Sequence, residues 1–69
     1  MAVELSPEME QYRANLRKQM NDYADDVATG GCADFPEYKR LCGVIQGLAL
    51  AERTLLDLAE RMAKADDNG

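Results

Sequence analysis

One short break governs what this chain can become. Residues 30 to 34 read Gly-Gly-Cys-Ala-Asp, and on either side of them apolar residues return at helical spacing. Glycine closes a helix in the left-handed conformation without a Cβ penalty. Asp34 followed three residues later by Glu37 is the opening signal of a capping box, in which the first side chain bonds the helix N-terminus and the second reaches back. A stop and a start therefore lie within one short loop. Two long helices joined this way form an antiparallel αα-hairpin, so the expected fold class is all-α.

The first helix begins at Ser6-Pro7-Glu8: a serine cap, proline where its missing N–H costs little, and acids in the first turn. Met9, Tyr12, Leu16, Met20, Tyr23 and Val27 then recur at spacings of 3, 4, 4, 3 and 4, which is one helical stripe. Helix one is expected from Pro7 to Thr29. Helix two is expected from Phe35 to Lys64, with Pro36 tolerated in its first turn. Residues 1–6 and 65–69 are expected to be flexible ends of a single domain covering 1–69. The acids Asp66 and Asp67 sit at the wrong helix end for the macrodipole.

The two helices are unequally apolar. Projected at 100° per residue, the stripe of helix one covers only about 80°. On helix two, Leu41, Val44, Ile45, Leu48, Ala51, Leu55, Leu58, Ala59 and Met62 gather on one side. Tyr38, Cys42, Ala49, Leu56 and Ala63 widen that arc to about 200°. One narrow seam cannot cover so wide a face. The surplus is expected to meet another copy of the chain or a different protein, because chains of this size rarely stabilise themselves alone. The bland alternative is a weakly stable monomer whose helices often separate. The expected protein interface comprises Tyr38, Leu41, Cys42, Gly43, Ile45, Gly47, Leu48, Ala51, Glu52, Leu55, Leu56 and Met62.

Two positions break the rules of their own helix. Gly43 and Gly47, in line with Ala51, each cost roughly 1 kcal/mol relative to alanine. Either a neighbouring helix approaches them closely, or they make room for Tyr12, Tyr23 or Met20 of helix one. Glu52 projects near the middle of the apolar arc, where an unpaired carboxylate is costly. It is expected either to pair with Arg13 or Arg17 across the seam, or with an arginine of another chain, or else to reach water at the edge.

Composition removes whole classes of function. Thirteen acids against eight bases give a net charge of −5, with no histidine. No triad, imidazole metal site or neutral-pH histidine base can be built, and an acidic chain is a poor binder of phosphate backbones. Cys32 and Cys42 are too few for structural zinc. They read as two reduced thiols, or as an intersubunit or redox-sensing pair. Asp25-Asp26 and Asp66-Asp67 lie at helix ends without a cleft, and Gly30-Gly31 lacks the Lys-Ser/Thr of a phosphate loop. No enzyme, cofactor or metal is expected. The N-terminus, Met-Ala-Val-Glu-Leu-Ser-Pro, has neither the basic nor the apolar region of a secretory signal. No stretch approaches the ~20 apolar residues of a bilayer span.

The segment from Gly30 to Ala51 resembles a family of short proteins encoded in the morphogenesis gene clusters of tailed, mainly short-tailed, phages. The shared pattern is a Gly-rich turn followed by Asp34, Phe35, Tyr38, Lys39, Leu41, Gly43, Ile45, Gly47, Leu48 and Ala51. Leu56-Asp57-Leu58 and the acidic tail follow. The resemblance covers the hinge and helix two, roughly half the chain; helix one shares only its amphipathic character. It implies a virion component or assembly factor, assembled in the host cytoplasm and placed at the head-to-tail connector. The implied partners are copies of itself, as a homo-oligomer or part of a ring, or a portal, adaptor or tail protein. Two alternatives stand beside it. One is a regulatory dimer like the plasmid regulator Rop, similar in architecture without a shared motif, acting on nucleic acid or a terminase. The other is a phage inhibitor of a host protein.

Overall fold

The computed structural model of the chain describes residues 5–68, and the side-chain surroundings of residues 5–65. Two helices account for nearly all of it: α1, Pro7–Ala28, and α2, Phe35–Asn68. They form an antiparallel hairpin, 53 Å long and 18 Å in each cross-section.

Each end of α1 is built by the residues the sequence singles out. Ser6 is extended, and its Oγ accepts the Met9 backbone N–H at 3.2 Å. At the other end the Gly31 N–H donates to the Asp26 carbonyl at 2.7 Å and the Gly30 N–H to that of Val27 at 3.4 Å. This crossed pair is a Schellman closure. The two glycines serve it differently. Gly30 has φ of +79°, a conformation other residues rarely adopt, whereas a Cβ on Gly31 would lie 2.9 Å from the Asp26 carbonyl oxygen. Thr29 caps the helix one residue beyond its last turn, with its hydroxyl donating to the Asp25 carbonyl at 2.7 Å.

At the start of α2, Asp34 Oδ1 accepts the Glu37 N–H at 2.9 Å. The return half of the expected capping box does not form. Glu37 instead takes the guanidinium of Arg40 in a fork, 2.6 Å to Nη2 and 3.2 Å to Nε. Two charge-assisted bonds to a residue one turn ahead outcompete one bond to a backbone amide.

The expected end of α2 at Lys64 is also corrected, since the helix continues to Asn68. Among residues 65–68 there is no glycine or proline, and each added residue in an existing helix gains one hydrogen bond for one residue fixed. Residues 65–68, part of the segment expected to be a flexible end, are thus the last residues of α2. Residues 1–4 and Gly69 lie outside the described residues.

With 22 residues in α1 against 34 in α2, the longer helix extends about 18 Å further at 1.5 Å per residue. The seam is thin. Its buried apolar side chains are Leu16 and Met20 from α1 and Leu41 and Ala59 from α2, and no large side chain is fully enclosed. Among the described residues, no helix is long and apolar enough to cross a membrane.

Candidate protein-interaction surface

Among the described residues, the one buried charged residue of the seam is held by two arginines of α1. Glu52, only 8% exposed, accepts at Oε2 from Arg17 Nε at 2.6 Å and from Arg13 Nε at 3.1 Å. The arginines lie one turn apart on α1, so both reach the same carboxylate from one side. Burial pushes the Glu52 carboxyl up, but the two guanidinium bonds outweigh it and hold the group below its ordinary value of 4.5. Of the partners considered from the sequence, Arg13 and Arg17 therefore act together rather than as alternatives, and both hold Glu52 through Oε2.

That engagement divides the residues expected at a protein interface. Leu41 and Glu52 are buried, while Cys42, Ile45, Leu48, Ala51, Leu55 and Leu56 are half-buried. The wheel places Leu41, Ile45, Leu48, Glu52 and Leu55 closest to α1. Tyr38, Gly43, Gly47 and Met62 are exposed. Large apolar side chains outside the expected set are open as well: Leu50 at 65%, Leu58 at 48% and Phe35 at 67%. Leu58 belongs to the apolar arc, and its exposure follows from the width mismatch. Leu50 lies on the opposite side of the wheel, among charged residues, and periodicity gave no reason to single it out.

The two interior glycines are now placed. A Cβ on Gly43 or Gly47 would meet no atom within 4 Å, so neither makes room for Tyr12, Tyr23 or Met20. Tyr12 itself is 53% exposed.

The hinge end carries a separate small cluster. Phe35 and Tyr38 stack with ring centroids 6.1 Å apart, and Lys39 Nζ sits 5.7 Å above the Phe35 ring. Cys32 and Cys42 are both free thiols and half-buried. Burial first, then the acids Glu37 and Asp26 and the neighbouring Cys42, push the Cys32 thiol up against the opposing pull of Arg40. A thiol held protonated is a poor nucleophile and a poor metal ligand. Tyr38 is likewise pushed up, chiefly by the neighbouring Cys42 thiol.

Two depressions on the surface are shallow and open, one along Gln46, Leu50 and Arg53 and another along Leu5, Glu10 and Arg17. Among the described residues, no three or more Cys, Asp or Glu side chains come together to hold a metal ion. What remains is an elongated hairpin with its polar residue satisfied inside and its excess apolar residues outside. No family model, curated protein or solved structure matches the chain.

Proposed function

We propose that this chain is a small, non-enzymatic structural or adaptor protein of a tailed-phage particle, located at the head-to-tail connector. In this reading it works by presenting the open side of α2 to copies of itself or to a portal, adaptor or tail protein. The observation that carries the binding role is the exposure of Leu58 and Met62, one turn apart on the apolar arc of α2. Apolar side chains left exposed side by side on one helix face mark a contact site. The particle itself is supported by the resemblance of residues 30–51 to the phage family. A hairpin of this kind suits such a role because it adds a helical surface without needing an active-site cavity.

The test is mass spectrometry of purified particles of the encoding phage, with quantification against the portal protein. Presence at a copy number matching one ring supports the reading. Absence from the particle and from its assembly intermediates overturns it.

A further inference from the structure

We propose that two copies of this chain pack into a four-helix bundle through the hairpin face that carries Tyr12, Leu55, Leu58 and Met62, opposite the face that carries the clasp of Arg13, Arg17 and Glu52. The inference deepens the preceding reading, on which it rests only for the use of the apolar arc of α2 as the contact element.

From Leu41 to Met62, apolar residues recur at spacings of 3, 4, 3, 4, 3 and 4 through Val44, Leu48, Ala51, Leu55 and Leu58. That is an unbroken heptad seam, the pattern of helices in coiled coils and bundles. The seam does not point at α1. Projected at 100° per residue, the buried positions Leu41, Glu52 and Ala59 mark the direction of α1, and the heptad is centred about 60° to one side of it. Exposure follows the offset. Leu41 is buried, Val44, Leu48, Ala51 and Leu55 are half-buried, and Leu58 and Met62 are 48% and 52% exposed. A helix at the corner of a four-helix bundle aims its seam in this way, between two neighbours rather than at one.

α1 widens the same face. Tyr12 and Tyr23 project to the side of Leu16 and Met20 that lies away from Arg13 and Arg17. Tyr12 is exposed and Tyr23 half-buried. Tyr23 is within electrostatic reach of Arg40, and Arg40 shares the azimuth of Leu58 on α2. The tyrosines and the open half of the heptad therefore lie on one side of the hairpin.

The surface left open is enough for one further copy. A compact monomer of 7.7 kDa is expected to expose about 4300 Å². This hairpin exposes 5452 Å², an excess of about 1100 Å², against the ~800 Å² that each partner contributes to a standard stable interface.

Charges beside the face give the orientation. A two-fold axis parallel to the helices sets α1 against the partner's α2, antiparallel and in the register that brings Arg13 and Arg17 to Glu52 within one chain. In that register Asp26 faces the partner's Arg40, and Glu8 the partner's Arg61. Glu8 and Asp26 share one azimuth on α1, about 40° from Tyr12, while Arg61 reaches in from about 60° beyond Arg40. The fork of Arg40 with Glu37 uses Nε and Nη2, so Nη1 can donate to the partner's Asp26. Acids then meet bases at both ends, and the pairs repeat by symmetry. The other face-to-face arrangement, α1 on the partner's α1, sets acids against acids and arginines against arginines. The favoured register also brings the partner's Gln19 over Gly47, where a Cβ would meet nothing in the hairpin.

The experiment is sedimentation equilibrium on the full chain at micromolar concentration, with circular dichroism to verify the helices. The native chain is expected to dimerise. Leu58→Glu should weaken the dimer at least about a hundredfold, because the change enters once from each copy. Leu58 is half open in the hairpin, so the variant keeps its fold. Leu50→Glu, on the far side of α2, should leave the dimer unchanged. Asp26→Arg alone should weaken it about tenfold, and adding Arg40→Asp should restore most of that loss. A monomeric native chain, a dimer that survives Leu58→Glu, a dimer broken equally by Leu50→Glu, or a charge swap without recovery overturns the proposal. A dimer missing from particles supports the pairing and removes the phage role. A monomer found in particles does the reverse.

Discussion

Two sites on α2 depart from what a helix in water prefers, and the hairpin treats them oppositely. Glu52 places a carboxylate in an apolar seam, and α1 answers it with two arginines. Gly43 and Gly47 remove side chains from a helix interior, and nothing in the hairpin answers them. The first departure is resolved within one chain, so it reports on how the two helices hold together. The second is unresolved in one chain, so it reports on what the hairpin meets. An anomaly with a partner is architecture, whereas one without a partner points outward.

The sharpest way to break this contrast is to strip the carboxylate of both partners. Arg13→Gln with Arg17→Gln leaves Glu52 enclosed and unpaired. The expected loss is about 2–3 kcal/mol on urea unfolding, at the low end for a buried charge because both arginines are partly in water. Either single change should cost much less, since the other guanidinium remains. Glu52→Leu in the double background should recover most of the loss. A double variant as stable as the native chain would mean that Glu52 swings out to solvent.

Acid should act on the same site. The folded Glu52 carboxyl lies below its ordinary 4.5, so its contribution is fully present above that value and is lost as pH falls through the depressed folded value. Chemical denaturation at a series of pH values should show this extra loss in the native chain and not in Glu52→Leu. Identical profiles for the two proteins would contradict it.

The glycines separate next, by sign. Gly30→Ala and Gly31→Ala should each destabilise by about 1 kcal/mol or more, the first through its left-handed backbone and the second through collision with the Asp26 carbonyl. Gly43→Ala and Gly47→Ala, measured at dilutions that keep chains apart, should each stabilise by up to about 1 kcal/mol. A loss at position 43 or 47 under those conditions would place a contact there within the hairpin. Smallest of all is Glu37→Gln. Glu37 serves an exposed fork rather than the helix cap, so no measurable change in melting temperature is expected, whereas Asp34→Ala should cost about 1 kcal/mol.

Features governed by neighbours in sequence were legible from the residues alone. The caps at Ser6 and Asp34, the hinge at Gly30-Gly31 and the two helices all follow from spacing and residue type. Glu52 was legible because a single carboxylate contradicts its own face, and Arg13 and Arg17 because they lie at the edge of the facing stripe. Three things were not legible. The choice of Glu37 between its own cap and Arg40 depends on rotamers. The end of α2 depends on the lack of a breaker before Gly69, a weak signal. The outward direction of Gly43 and Gly47 depends on how α2 is rotated in the seam, and a 200° apolar arc leaves that rotation open. Leu50 was missed for a related reason, because an isolated leucine among charges carries no periodic signal.

The hinge and the Glu52 clasp also set an order of events in time. The loop between the helices is short, so contacts beside it close with little loss of chain entropy and can form first. The clasp joins residues 35 and 39 apart in sequence, well up the hairpin from the turn. Pairing that zips upward from the hinge reaches the clasp late. Interactions made after the rate-limiting step act on unfolding rather than folding. The arginine–glutamate clasp thus serves mainly as a brake on opening, and its removal should shorten the lifetime of the closed hairpin while leaving the speed of closure nearly unchanged.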